Sequence, residues 1–110
     1  MEVASRIFFA DERVKKAYES LKKNRQEQLK EWLDRAFSDL ERNAFCGTQI
    51  AKRLIPKEYK KRFEKLDNLW KYNLPSAWRL LYTVKRDRII VLSIVLEWLS
   101  HKDYEKRFKY

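Results

Sequence analysis

The fold is decided by residues 68–104, which read NLWKYNLPSAWRLLYTVKRDRIIVLSIVLEWLSHKDY. Two segments within this stretch, residues 69–74 and 78–84, are rich in the aromatic and branched side chains that favour β-strands. The segment between them, Pro75-Ser76-Ala77, has the composition of a turn. Strands joined by so short a connection pair as an antiparallel hairpin.

A third strand is predicted directly after this hairpin. Arg86-Asp87 is read as a second short turn, and residues 88–99, RIIVLSIVLEWL, are almost continuously apolar. A strand of this kind is expected to be covered on both faces, so we predict that it lies at the centre of the sheet. The whole stretch therefore predicts a three-stranded antiparallel meander.

The first half of the chain has helical periodicity. A first apolar stripe follows Asp11, a candidate N-cap, and a second stripe follows Asn24, which separates two predicted helices. The first stripe consists of Val14, Ala17, Tyr18 and Leu21, and the second of Leu29, Trp32, Leu33, Ala36, Phe37 and Leu40. The two helices are therefore expected to form an antiparallel hairpin.

Two shorter elements complete the prediction. Residues 3–9 are β-prone and can add a first strand, and a third helix is predicted after Pro56, with Tyr59 and Phe63 four residues apart. The fold class that follows is α+β. It consists of a small twisted antiparallel sheet with an N-terminal helix hairpin packed on one face, which leaves the other face as the active surface.

Composition limits the class of protein. A chain of 110 residues with 45% hydrophobic residues is expected to form a single compact domain. The single cysteine, Cys46, cannot form an internal disulfide, is predicted to be a buried thiol, and indicates a reducing compartment, most simply the cytoplasm. The segment MEVASRIFF lacks the pattern of a signal peptide, and the apolar run 89–96 is too short to span a bilayer. We therefore expect a soluble protein without membrane partners.

The charge is unevenly distributed along the chain. Residues 1–51 carry 10 Lys and Arg against 9 Asp and Glu, whereas residues 52–110 carry 16 against 7. A basic sheet with aromatic side chains suits an RNA partner, because cations bind the phosphates and rings stack on unpaired bases. The alternative is a well-solvated basic surface without a nucleic-acid partner.

The order of strand, helix hairpin and meander, together with three motifs, resembles the RelE/ParE superfamily, the toxins of type II toxin–antitoxin systems. The motifs are NLWKYNL at residues 68–74, WRLLY at residues 78–82 and HKDY at residues 101–104. The resemblance implies a single toxin domain over residues 1–110. It also implies a RelE-like mRNA interferase, a metal-independent endoribonuclease that cleaves mRNA on the ribosome and so inhibits translation.

In this family the 2′-hydroxyl of one nucleotide attacks the adjacent phosphate, and by resemblance Arg79 would hold that phosphate. Lys71 matches a family lysine, and Asn73 stands where the family has another. Tyr104 matches a tyrosine that stacks on or orients the nucleotide, and His101 falls where related toxins carry a histidine or arginine acid. Further RNA contacts are predicted at Lys60, Lys61, Arg62, Asn73 and Lys102.

Each candidate residue also has a structural alternative. Arg79 can form an ion pair with Glu97 or Asp67. His101 can be a cap or a surface residue, and Tyr104 can pack the C-terminal segment onto the sheet. The aromatic rings of Trp70 and Trp78 suit the core, and Lys60, Lys61 and Arg62 suit a solvated helix face.

Several cofactors and functions are also weighed at this stage. One His and one Cys cannot build an ordinary zinc site, and one Gly cannot make a phosphate-cradling loop, so no cofactor or metal is expected. The expected partners are an acidic cognate antitoxin, in a possible hetero-oligomer, and mRNA with the ribosome. Two other functions stay open: a ParE-like poison of DNA gyrase that catalyses nothing, and a basic RNA- or ribosome-binding domain that does not cleave.

Overall fold

A computed structural model of the protein describes residues 2–109. Within this range the chain forms five strands and four helices, together with short 3₁₀ turns at Lys52–Leu54 and Pro75–Ala77. In chain order these are β1 (Arg6–Phe9), α1 (Glu12–Glu19), α2 (Glu27–Arg42), β2 (Thr48–Ile50), α3 (Lys57–Arg62), β3 (Leu69–Asn73), β4 (Arg79–Asp87), β5 (Ile90–Leu99) and α4 (His101–Phe108). The predicted α+β fold class is confirmed.

The five strands form one sheet in the order β1-β5-β4-β3-β2. Antiparallel pairing of β3 with β4 and of β4 with β5 confirms the predicted meander. β2 pairs antiparallel with β3, and β1 pairs parallel with β5, with Phe8 opposite Ile94. The prediction that the long apolar strand is central was wrong, because the addition of β2 beyond β3 makes β4 the middle strand.

The turn between β4 and β5 lies two residues later than predicted. Arg86 and Asp87 continue β4 and pair with Val91 and Ile90, so the turn consists of Arg88 and Ile89. Arg88 has a φ of 58°, a value usually taken by Gly or Asn in a hairpin turn. The sequence lacks that signal, because its side chains at the turn are a charged and a branched one.

The first face of the sheet is covered by α1 and α2. Asp11 caps α1 by accepting a hydrogen bond from the amide of Val14 at 2.9 Å, as predicted. The apolar stripe of α2 is confirmed, since its buried residues are Leu29, Leu33, Ala36, Phe37 and Leu40. These side chains belong to one core cluster with the strand residues Leu80, Tyr82 and Val95.

The sequence analysis predicted an open second face, but in the structure α3 and α4 cover part of it. Tyr59 of α3 and Tyr104 of α4 are buried there in a second cluster that includes Leu69, Leu81 and Leu96 of the sheet. The expectation failed because the sequence analysis assigned only the α1–α2 hairpin to the sheet, whereas the short helices α3 and α4 also pack apolar side chains on it. The candidate functional residues therefore lie at the margin of this second core.

Gly47 allows the segment before β2 to lie close against the sheet. Its amide donates to the Tyr82 hydroxyl at 3.2 Å, and that hydroxyl donates to the carbonyl of Ala44 at 3.0 Å. A Cβ at this position would lie 2.5 Å from the carbonyl oxygen of Lys71. Cys46 in the same segment is exposed, so its prediction as a buried thiol was wrong. Within residues 2–109, no helix is long and apolar enough to cross a membrane.

Candidate functional site

Arg79 is positioned by the turn that connects β3 to β4. Ser76 and Ala77 in that turn have φ values of 56° and 61°, which lie in the left-handed region. Arg79 then begins β4, and its Nη1 donates to the carbonyl of Ala77 at 2.7 Å and to that of Trp78 at 3.3 Å. The guanidinium is therefore held against the turn rather than extended freely into solvent.

Lys71 and Asn73 lie on the same face of the sheet as Arg79. They are two residues apart in β3, and Asn73 is the direct cross-strand partner of Arg79. Lys71 stands opposite Leu81, whose side chain belongs to the second core. The pairing of β3 with β4 thus brings three of the predicted site residues to one corner of the second face.

The Tyr104 ring lies beneath both cations of this corner. The Arg79 guanidinium carbon is 5.2 Å from the ring centroid and the Lys71 Nζ is 5.4 Å from it, both within cation–π range. Lys71 Nζ also donates to the Tyr104 hydroxyl at 3.4 Å. We call the group Lys71, Asn73, Arg79 and Tyr104 the cation corner.

Burial decides the role of Tyr104. Its relative exposure is 2%, and its ring stacks on that of Phe108 with centroids 4.5 Å apart. A ring so covered cannot also stack on a nucleobase in this conformation. The structural alternative for Tyr104 is therefore confirmed: the ring packs α4 onto the sheet, and it also supports the two cations.

The positive charges of the cation corner are not neutralised by carboxylates. Among residues 2–109, neither Lys71 nor Arg79 forms an ion pair, so the alternative pairing of Arg79 with Glu97 or Asp67 is not seen. The Nε of Arg79 is buried and makes no hydrogen bond within the described chain. An arginine that no carboxylate of the described chain neutralises, beside a lysine and an amide, is suited to holding a phosphate group.

A partly buried polar cluster on the same face as the cation corner was missed by the sequence analysis. Glu97 of β5 stands opposite Leu81, and its carboxylate lies 3.4 Å from the Arg107 guanidinium of α4. The same guanidinium lies 5.5 Å from the Tyr59 ring centroid. Burial, followed by the nearby Glu97 carboxylate, raises the pKa of Tyr59 above its usual range. The available signal was Glu97 itself, a lone charge within the apolar residues 89–99.

His101 does not join the cation corner. It is the first residue of α4, its side chain is 58% exposed, and its Nε2 lies 2.6 Å from the carboxylate of Glu105. Within the described residues no hydrogen bond or ion pair connects it to Lys71 or Arg79. The geometry matches the alternative of a surface residue at the start of a helix.

The predicted RNA contacts outside the corner lie on exposed helix surfaces. Lys60 and Lys61 on α3 and Lys102 on α4 are exposed and form no ion pair with other residues in the range 2–109. Arg62 is partly engaged, since it lies 3.6 Å from Asp11 and its guanidinium carbon is 4.7 Å from the Phe63 ring centroid. Lys60, Lys61 and Lys102 are thus exposed cations on helix surfaces, whereas Arg62 also lines a cavity of about 490 Å³.

No family model, curated protein or solved structure matches this chain. The resemblance to the RelE/ParE superfamily therefore rests on the motifs and on the order of the elements. Within residues 2–109, no three His, Cys, Asp or Glu side chains are grouped so that they could hold a metal ion. What the site offers chemically is a pair of fixed cations with a neighbouring amide.

Proposed function

We propose that this protein is a RelE-like toxin, a metal-independent endoribonuclease that cleaves mRNA on the ribosome and so inhibits translation. One observation carries the proposal: Lys71 and Arg79 are fixed over the Tyr104 ring, and no carboxylate among residues 2–109 neutralises them. Fixed, unpaired cations stabilise the charge that builds on a phosphate during cleavage. The family resemblance of the surrounding motifs supports the same activity.

In the proposed reaction, the 2′-hydroxyl oxygen bonds to the adjacent phosphorus and the bond from phosphorus to the 5′ oxygen breaks. The products are a 2′,3′-cyclic phosphate and a 5′-hydroxyl. Arg79 binds the phosphate oxygens, the Lys71 ammonium donates a proton to the departing 5′ oxygen, and a water molecule accepts the proton of the attacking hydroxyl, since His101 lies outside the cation corner. Tyr104 acts as a positioning residue, since its ring lies under both cations.

The proposed partners follow from the charge of the chain. Residues 52–110 hold 16 Lys and Arg against 7 Asp and Glu, so an RNA backbone and an acidic antitoxin would compete for the same surface. Exposed Lys60, Lys61 and Lys102 would contact RNA outside the cleavage site. A toxin acting on mRNA would work in the cytoplasm.

A second candidate is a basic domain that binds RNA or ribosomes without cleaving. It is favoured by Asn73, which stands where the resembling family has a lysine, and by His101, which is bonded to Glu105. With these two features the cation corner would still bind a phosphate, but it would lack a side chain that accepts the proton of the attacking hydroxyl. The two candidates differ in one outcome, which is whether RNA is cut.

The experiment is induction of the protein in growing cells, followed by primer extension on translated messages. Discrete cuts that disappear in Arg79→Ala are expected. Arrested translation with intact messages would instead support the non-cleaving domain. Intact messages together with double-strand DNA breaks would indicate a gyrase poison. Arg35→Ala, an exposed arginine on α2, is the matched control and should behave as the wild type.

A further inference from the structure

A groove of about 320 Å³ lies on the first face of the sheet, on the opposite side from the cation corner. Trp70 and Val84 in its wall pack with the first core, whereas Lys71, the neighbour of Trp70, points to the second face. The main residues that line this groove, which we call the Phe45 groove, are Phe45, Gln49, Trp70, Val84, Arg86 and Val91. The proposed function makes no use of these residues.

The apolar wall of the groove is an ordered group of aromatic rings. Phe45 is 43% exposed, although its ring centroid lies 5.2 Å from that of Trp70 at an interplanar angle of 44°. Trp70 in turn stacks on Tyr82 at 6.2 Å and 28°. Because Gly47 fixes the segment that carries Phe45 against β3, the exposed ring is held in place. An immobilised, half-exposed aromatic ring is a suitable surface for stacking.

Two polar side chains at the groove, Gln49 and Arg86, make no hydrogen bond or ion pair within residues 2–109 and carry no negative charge. Gln49 is exposed on edge strand β2 directly opposite Trp70, so its amide lies on the groove side of the sheet. Arg86 is exposed and forms no ion pair within residues 2–109. Asn68 is occupied, since its side chain bonds to the backbone of Val84 and to Thr83.

The absence of carboxylates separates this groove from a larger one on the other face. That cavity, of about 490 Å³, is lined by Asp11, Glu64 and Asp67 among others. No acidic side chain lines the Phe45 groove within the described part of the chain. Its volume lies in the range of small-molecule sites, and its chemistry combines an aromatic surface, a free amide and a free guanidinium.

We propose that the Phe45 groove binds an unpaired nucleobase of single-stranded RNA. The base contacts the Phe45 and Trp70 rings, the Gln49 amide meets its hydrogen-bonding edge, and Arg86 binds an adjacent phosphate. The inference rests on the proposed function in one respect, the choice of RNA as ligand. It extends that function by adding a contact that holds RNA away from the site of cleavage.

The test is fluorescence anisotropy of a labelled single-stranded RNA of about 10 nucleotides, a length on the scale of ordinary single-strand sites. Phe45→Ala should weaken binding about 5- to 100-fold, the range expected when one base loses its aromatic partner. Phe45→Tyr should restore binding, because it restores the ring. Phe8→Ala is the matched control, since Phe8 is 50% exposed on the far edge strand and should leave binding unchanged.

Arg86→Ala gives a second readout that does not depend on the aromatic ring. It should lower the slope of log affinity against log salt by about 0.7, the value for one phosphate contact on a single strand. Binding of double-stranded RNA should be unchanged in Phe45→Ala, because its bases are already paired. If a free nucleoside monophosphate displaced the RNA at equal concentration, the ligand would be a mononucleotide and the proposal would be wrong.

The outcomes also separate this inference from the proposed function. The groove proposal would be wrong if Phe45→Ala bound RNA with wild-type affinity, or if Phe45→Ala and Phe8→Ala lost affinity equally. Neither result would contradict cleavage through Arg79. Failure of the wild type to bind single-stranded RNA would overturn the groove as well. Conversely, the protein could cut no RNA and yet lose affinity for single-stranded RNA only in Phe45→Ala and Arg86→Ala. That result would support the proposed base-binding groove and contradict the proposed nuclease activity.

Discussion

Arg79 has two tasks in the proposed site, because one end of its guanidinium is already bound to the protein. Its Nη1 is committed to the carbonyls of Ala77 and Trp78 and its Nε is buried, so Nη2 is the group left to contact a phosphate. A lysine has the same charge on one compact nitrogen and lacks the planar fork, so it cannot reproduce the way the guanidinium divides its donors between the turn and a phosphate. The geometry of the side chain therefore matters as much as its charge.

We expect both Arg79→Ala and Arg79→Lys to lose most of the cleavage activity. Removal of a fixed donor to a developing anion costs roughly 3 to 4 kcal/mol, or about a hundred- to thousandfold in rate. The measurement is single-turnover cleavage of mRNA on ribosomes, with Arg35→Ala as control. Wild-type rates in Arg79→Lys would show that charge alone suffices, and wild-type rates in Arg79→Ala would remove Arg79 from the site.

Gly47 is the residue at which a small substitution should have a large effect. In Gly47→Ala the new methyl group would meet the Lys71 carbonyl at 2.5 Å and the Tyr82 hydroxyl at 2.6 Å. The backbone must shift, at a cost of about 1 to 3 kcal/mol in the free energy of unfolding. Urea denaturation measures the loss, and Cys46→Ala, an exposed neighbour, should be near neutral.

A companion substitution tests the reason for that loss. Tyr82→Phe removes the hydroxyl contact but leaves the Lys71 carbonyl in place, so the double variant Gly47→Ala with Tyr82→Phe should stay destabilised relative to Tyr82→Phe alone. Full recovery of stability in the double variant would contradict the proposed clash with β3.

Individual residues of the cation corner could be predicted from the sequence, but their surroundings could not. Lys71 and Arg79 meet because short turns bring neighbouring strands together, which is a local rule. The burial of Tyr104 depends on how α4 packs on the sheet, and the pairing of Glu97 with Arg107 joins two different elements. His101 was placed in the site by its motif, although its own helix supplies its partner, Glu105.

At the scale of elements, α4 is the part of the fold that connects stability to the cation corner. Ser100 caps this helix by accepting a hydrogen bond from the amide of Asp103 at 3.2 Å. Tyr104 follows on the first turn and carries the ring that supports Lys71 and Arg79. Weakening the start of the helix should therefore reduce the order of the cations as well.

We expect Ser100→Ala to lower the free energy of unfolding by about 1 kcal/mol, the usual effect of removing an N-cap side chain. Affinity for single-stranded RNA should fall in the same variant, because the Tyr104 support is less often in place. Ser100→Thr should retain both properties, because threonine also caps a helix and adds no charge. Ser38→Ala, at an exposed position within α2, is the control and should change neither. If the variant lost stability without any change in RNA affinity, the claim that α4 supports the cation corner would be wrong.

The elements that could be predicted are those whose signals are local. The periodicity of α2 and the composition of β3 and β4 were sufficient for their existence. The β4–β5 turn was misplaced because Arg88 adopts a conformation that its residue type does not announce. The sequence also could not predict that β4 is the middle strand, because that position depends on the pairing of β2, which has only three residues.

At the scale of the whole molecule, the asymmetric charge should control the rate of association with an acidic partner. Raising the ionic strength from about 0.01 M to about 0.15 M shortens the Debye length from about 30 Å to about 8 Å. We expect the association rate constant of an acidic antitoxin to fall over this range, as measured by stopped-flow fluorescence.

A pair of triple variants identifies the half of the chain that is responsible. Replacing Lys60, Lys61 and Lys102 with Gln should slow association more than the same replacement at Lys15, Lys16 and Lys22, which are also exposed. Equal effects of the two triple variants would mean that total charge, rather than its location, attracts the partner. A rate constant independent of salt would exclude electrostatic steering altogether.

The parallel pairing of β1 with β5 has a consequence for the order in which the molecule assembles. The hydroxyls of Ser5 and Ser93, which lie 2.8 Å apart, are separated by 88 positions in the chain. Closing so long a loop is entropically costly, whereas the hairpins of the meander close over a few residues. During synthesis the β1 segment leaves the ribosome early and must wait until residues 92–95 have emerged. Of the five strands described, the one made earliest is therefore the last to pair.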